Sequence, residues 1–206
     1  MGQIAGPYGL RVLKNLGEGY FTGGMHTYPV TNPATIAARG MFFGDPVGLQ
    51  GGDVIPLTAS PAAGPPGVIG IFQGCSWQDP VRGFVNAQYL PAGLFASGAT
   101  QVRVKVQDYP WVVMRVQADG PVTPDKIGMN AALGNFGQGS TYTGNSQVNL
   151  VSGSIAASAG LAVRIYGFVV DGSPSPGAGS VPGDAFTDVL VVWNFGIDRY
   201  LNATGG

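Results

Sequence analysis

The sequence predicts an all-β fold, a single-domain antiparallel β-sandwich or barrel of jelly-roll-like form, with an extended N-terminal arm and long Gly/Pro-rich loops. Three observations predict it. Several segments alternate apolar and polar residues with period two, the pattern of a strand with one buried face. No window of a dozen residues carries apolar positions at helical spacing free of glycine or proline. Glycine supplies 35 and proline 16 of the 206 residues, which places turn signals at short intervals between the apolar runs. A chain of this length can bury one sizeable core. The expected organisation is one β domain over 1–206, with an extended arm over 1–16, a β core over 17–199 and a tail over 200–206.

Taken in order, Phe42 to Leu49 is a strand candidate around the Gly44-Asp45-Pro46 turn, and Val68 to Gln73 is a short strand. In Gln101 to Gln107, Val102, Val104 and Val106 point one way and Arg103 and Lys105 the other, so this strand is half exposed. After the turn at Asp108-Tyr109-Pro110, Trp111 to Gln117 places Val112, Met114 and Val116 on one side and Trp111, Val113 and Arg115 on the other. The two runs read as a hairpin or as consecutive strands. Val148 to Val151 is a further short strand, and 154–163 reads equally as one helical turn, strand or loop. Leu161 to Val170 sets Leu161, Val163, Ile165 and Val169 on one face, with Arg164, Tyr166 and Phe168 opposite. Phe186 to Phe195 is apolar on both faces, as expected of a central strand covered on both sides. The Pro and Gly clusters at Pro61 to Gly67 and Ser173 to Gly183 read as exposed loops.

Charge is sparse and nearly balanced, with ten basic and eleven acidic side chains and a net charge of −1. The three lysines and seven arginines stand singly along the chain, so no nucleic-acid footprint is expected. The longest apolar runs, such as Val189 to Trp193, fall far short of the roughly 20 residues that span a bilayer. Residues 1–16 lack the basic start and apolar centre of a secretory signal. Production in the cytoplasm follows as the expectation.

Catalytic chemistry has few candidates. Acid/base work usually draws on histidine or paired carboxylates, and the chain holds one histidine, His26, and one glutamate, Glu18. His26 reads as a hydrogen-bonded or surface residue. Of the ten aspartates, Asp45, Asp79, Asp119, Asp171 and Asp184 each adjoin Gly or Pro, where the side chain caps turn amides. Cys75 is alone and reads as a buried small hydrophobe. Gly134, Gly137 and Gly139 lack the strand, helix and Lys-Ser/Thr context of a phosphate loop. No enzyme activity, cofactor or metal is expected. Trp77, Trp111 and Trp193 belong to an aromatic set that suits core or interface packing, with sugar-binding platforms as the other reading.

Four groups of passages run in order along the chain. They are Tyr8-Gly9-Leu10-Arg11 with Tyr28-Pro29-Val30 and Phe43-Gly44-Asp45-Pro46-Val47; then Gly67-Val68-Ile69-Gly70-Ile71-Phe72-Gln73-Gly74-Cys75 ahead of Asp79-Pro80. Val116-Gln117-Ala118-Asp119-Gly120 precedes Ile127-Gly128-Met129-Asn130-Ala131, and Pro182-Gly183-Asp184-Ala185 leads to Val189-Leu190-Val191 and Tyr200-Leu201-Asn202-Ala203-Thr204-Gly205. Together they resemble a family of tailed-bacteriophage virion proteins, the capsid decoration or cement proteins. The chain departs from that pattern in the Phe84 to Gly98 region and in the Ser173 to Gly183 loop.

The resemblance implies a non-enzymatic structural protein of the virion that binds the outer surface of the assembled phage head and stabilises it against DNA pressure. Its implied partners are the major capsid protein and further copies of itself, as a homotrimer or a dimer, with no direct nucleic acid and no membrane. Contacts are expected in the terminal segments, at Tyr8, Leu10, Arg11, Leu13, Tyr200, Leu201 and Asn202. The alternative reading is a carbohydrate-binding β module on the virion surface.

Overall fold

A computed structural model describes residues 5–17, 24–31, 39–61, 67–169, 181–194 and 196–198. The chain is all β, as the alternating pattern predicts, and among the described residues every pairing between strands is antiparallel. The strands are β1 (Arg11–Asn15), β2 (His26–Pro29), β3 (Pro46–Gln50), β4 (Asp53–Pro56), β5 (Val68–Asp79), β6 (Gly83–Ala87), β7 (Thr100–Gln107), β8 (Val112–Gln117), β9 (Asn130–Ala131), β10 (Leu133–Gly134), β11 (Asn149–Leu150), β12 (Val163–Phe168) and β13 (Asp188–Trp193). Short 3-10 turns at Leu94–Ser97, Pro124–Lys126 and Ser152–Ser154 are the helical elements among the described residues. None of them is long and apolar enough to cross a membrane.

Two sheets carry the architecture. One runs β1-β8-β13-β12-β9; the other runs β2-β7-β5-β3-β4, with β6 pairing along the far half of β5. The alternation of β8, β12 and β13 turns Val112, Met114, Val116, Val163, Ile165, Val189, Val191 and Trp193 into one core, which Val68 and Ile71 of β5 join from the second sheet. Ile69, Phe72, Cys75 and Trp77 of β5 enter a second core with Val102, Val104 and Val106 of β7. Met41, Leu90 and Leu94 close that second core from connecting segments. Strand β5 therefore lies between two apolar layers, which explains its nearly continuous apolar run. Gly70 permits the tight packing at its centre: a Cβ there would lie 2.1 Å from the Gln107 carbonyl oxygen.

Several expectations are met with revised geometry. Gln101 to Gln107 and Trp111 to Gln117 become β7 and β8 with the predicted faces, but in different sheets, so the Asp108 to Trp111 corner crosses from one sheet to the other. Phe168, expected opposite the core, packs against it instead. A register shift between Ile165 and Gly167 makes Tyr166 an extra residue, and the strand beyond it changes face. Strand β13 is central, as predicted, but Leu190 and Val192 are only half-buried, so the chain covers one of its faces well and the other poorly. Most of the Pro61 to Gly67 and Ser173 to Gly183 loops lies outside the described residues.

The N-terminal segment is part of this body over its described length. Leu10 is fully buried in the first core, and β1 pairs with β8 as the edge strand of its sheet. The Leu10 amide donates to the Gly44 carbonyl at 2.9 Å. Gly44, at φ +95°, lies so close that a Cβ would sit 3.0 Å from the Leu10 carbonyl oxygen, a conformation and an approach that suit glycine. Asp45 fixes the same turn, accepting from the Phe42 amide at 2.9 Å and the Ser146 hydroxyl at 2.6 Å, with Arg39 3.6 Å away. An extended arm free to reach a partner over 1–16 is thus replaced, across residues 5–16, by an anchored strand and its lead-in.

Candidate functional site

The outer face of the five-stranded sheet collects the side chains that β1, β8, β13 and β12 turn away from the core. Strand register sets Lys14 beside Val113 and Val192 beside Arg164, then Arg11, Arg115 and Leu190 in a second row; Val113 itself is fully covered. Register shifts add two bulged residues, Leu13 in β1 and Tyr166 in β12, with 49% and 44% of their surfaces exposed. Bulges re-aim a side chain in this way. Trp111, next to β8, is 45% exposed and continues the alternation of Val113 and Arg115. Four of the chain's ten basic side chains therefore share one sheet face with exposed large apolar groups, although they stand singly in sequence.

These cations are held chiefly by rings and amides. The Arg11 guanidinium lies 4.2 Å from the centre of the Phe43 ring, the Lys14 ammonium 5.6 Å from that of Tyr166, and the Arg115 guanidinium 5.2 Å from that of Tyr8. Such cation–π contacts hold the head group without cancelling its charge. Arg164 donates to the side-chain oxygens of Asn130 and Asn194 at 3.0 and 3.2 Å. Arg115 does meet a carboxylate, donating to the buried Asp188 at 2.5 Å, while the Tyr8 hydroxyl donates to the other Asp188 oxygen at 2.8 Å. Burial, then the Asp188 charge, pushes the Tyr8 phenol well above its ordinary range, so it stays protonated as a donor.

The predicted contact residues separate by environment. Leu13 and Arg11 face outward, Tyr8 is half-buried and engaged with Asp188, and Leu10 is a core residue that no partner can touch in the folded chain. Tyr200, Leu201 and Asn202 lie outside the described residues. Sequence reasoning missed Lys14, Trp111, Arg115, Arg164 and Tyr166 as one surface, because they come together only through lateral strand order.

A scan against protein-family models matched no family, and searches of the curated proteins and of the solved structures returned no match.

A second feature lies at the corner where β7 passes into β8. An open groove of about 880 Å³ is lined by Asn15 of β1, Gly24 and Met25, His26 to Tyr28 of β2, and Gln107 to Pro110. The Asp108 carboxylate accepts from the Tyr28 hydroxyl at 2.5 Å and pairs with His26 Nδ1 at 2.7 Å. The histidine side chain is 77% exposed, so His26 is hydrogen-bonded and at the surface, in keeping with its sequence reading. Among the described residues no group of three or more His, Cys, Asp or Glu side chains could hold a metal ion. Cys75 is buried in the second core, where desolvation pushes its thiol up to about 12.

Proposed function

We propose that the chain is a structural protein of a phage virion, a cement or decoration protein that docks on the outer surface of the assembled head through the outer face of its five-stranded sheet. The observation that carries this reading is the one-sided cover of β13. Its sequence is apolar on both faces, yet Leu190 and Val192 are only half-buried beside exposed Tyr166 and Trp111. A surface of this kind, apolar and aromatic with arginine and lysine among the rings, suits a broad protein contact. The sequence resemblance supplies the partner, the major capsid protein, and a shell with threefold positions favours a trimer of the docked chain. The complementary surface on the shell would offer carboxylates or carbonyl oxygens to Lys14, Arg11 and Arg164.

Heads stripped of the chain and mixed with purified protein test this. Wild-type protein is expected to co-sediment with them and raise the temperature at which they release DNA. The double variant Lys14→Glu, Tyr166→Ala, checked to be folded by its thermal midpoint, is expected to stay in the supernatant. Equal binding by the variant overturns the choice of face, and failure of the wild type to bind any head overturns the function.

A further inference from the structure

We propose that the groove at the β7–β8 corner is a binding site for a neutral saccharide, separate from the docking face. Gln107 follows the face of β7 that carries Arg103 and Lys105, and pairs with Ile71 across the sheet, so it lies toward the interval between the two sheets. Asn15 is paired with Val112 at the end of β1 and enters the same interval from the other sheet. Both residues line the groove. Gln107 is 1% exposed, and its Nε2 and Oε1 atoms, like the Asn15 Oδ1 atom, have no hydrogen-bond partner. Leaving such buried groups unmatched is costly, and each such atom in a folded protein asks for a reason.

The unmatched set selects the ligand by its chemistry. One donor and two acceptors need a group that both accepts and donates, which a hydroxyl does. A phosphate or carboxylate would only accept, and an ammonium would only donate. Among the described lining residues the single carboxylate, Asp108, is already held by His26 and Tyr28, so these residues offer no free cation to an anionic sugar and no unpaired anion to an amino sugar. Met25 and Tyr109 are exposed at the rim and supply apolar surface for the C–H face of a sugar ring. A volume of about 880 Å³ lies inside the usual range for small-molecule sites, roughly 300–1,000 Å³, and admits a short oligosaccharide. The groove contains neither Lys14 nor Tyr166, so the two sites can be broken separately.

The test titrates the full chain with a panel of neutral, anionic and amino oligosaccharides, following side-chain amide signals by NMR and binding by calorimetry. Saturable binding of a neutral member is expected, with the Gln107 amide signals shifting and the affinity falling at least about tenfold in Gln107→Leu. That variant removes an unmatched buried amide, so its thermal midpoint is expected to equal or exceed that of the wild type. Tyr109→Ala, at the exposed rim, is expected to weaken binding without changing the fold. Absence of saturable binding, equal binding by Gln107→Leu, or binding confined to anionic or amino sugars would each overturn the proposal. Gln107→Leu should still co-sediment with heads, so failure of the groove leaves the docking face standing, and the reverse also holds.

Discussion

Replacing Leu10 by alanine is expected to destabilise the chain markedly, while the same change three residues on, at Leu13, is expected to do almost nothing. Leu10 is 0% exposed and sits in the first core beneath β8 and β13, and its backbone is tied to Gly44. Removing its buried methyl-bearing carbons loses their transfer free energy and leaves a cavity, together about 2–5 kcal/mol. For a chain of this size one kcal/mol moves the thermal midpoint by about 2–4 °C, so a central loss of about 3 kcal/mol lowers it by roughly 6–12 °C. Leu13 bulges outward and is half exposed, which limits its effect to about 0.5 kcal/mol. Calorimetric melting of the two variants against wild type decides between them. A Leu10→Ala midpoint within a degree or two of Leu13→Ala would refute the anchored N-terminal strand and restore a dispensable arm. By the same reasoning, deleting residues 2–16 strips β1 from β8 and opens the first core, so loss of head binding by that truncation would not identify a contact.

Two further outcomes follow from buried groups. Burial holds the Asp45 carboxyl above its ordinary pKa, against the lowering effects of Ser146, the Phe42 amide and Arg39. The folded chain thus binds this proton more tightly than the unfolded chain. Its contribution to stability is whole below the unfolded pKa and is lost as the pH climbs through the raised folded value. The stability difference between wild type and Asp45→Asn, measured by denaturant melts, should therefore shrink from acid toward neutral pH; a difference that grows with pH would contradict the assignment. Cys75, buried and with its thiol pushed up to about 12, is expected to resist alkylation at pH 8 in the folded chain and to react once denatured. Prompt labelling of the native protein, read by mass spectrometry, would show that the second core is open there.

What the sequence made legible was local. The alternation in Gln101 to Gln107 and Trp111 to Gln117 correctly places Val102, Val104, Val106, Val112, Met114 and Val116 in the cores, because a period of two depends only on neighbours along the chain, but it does not foresee the burial of Gln107, Val113 and Gln117 on the opposite faces. Whether those runs share a sheet depends on lateral partners far away: β7 lies between β2 and β5, and β8 between β1 and β13. The Asp108-Tyr109-Pro110 turn looks the same in both cases. The reversal at Tyr166 was hidden for a related reason, since nothing in Val-Arg-Ile-Tyr-Gly-Phe marks the extra residue that carries Phe168 into the core. The basic and aromatic sheet face was equally hidden, because Arg11, Lys14, Arg115 and Arg164 meet only through strand order. The groove was hidden too, because His26 and Asp108 lie 82 residues apart and meet only where β2 pairs with β7, and the unmatched Gln107 amide emerges only once its neighbours are known.

A density map of the intact particle tests the central claim most directly. Density for this chain is expected on the outer surface of the head, in copies related by the local symmetry of the shell, with Lys14, Trp111, Arg164 and Tyr166 turned toward the capsid protein. Heads bearing no such density, or bearing the chain with that sheet face exposed to solvent, would contradict it.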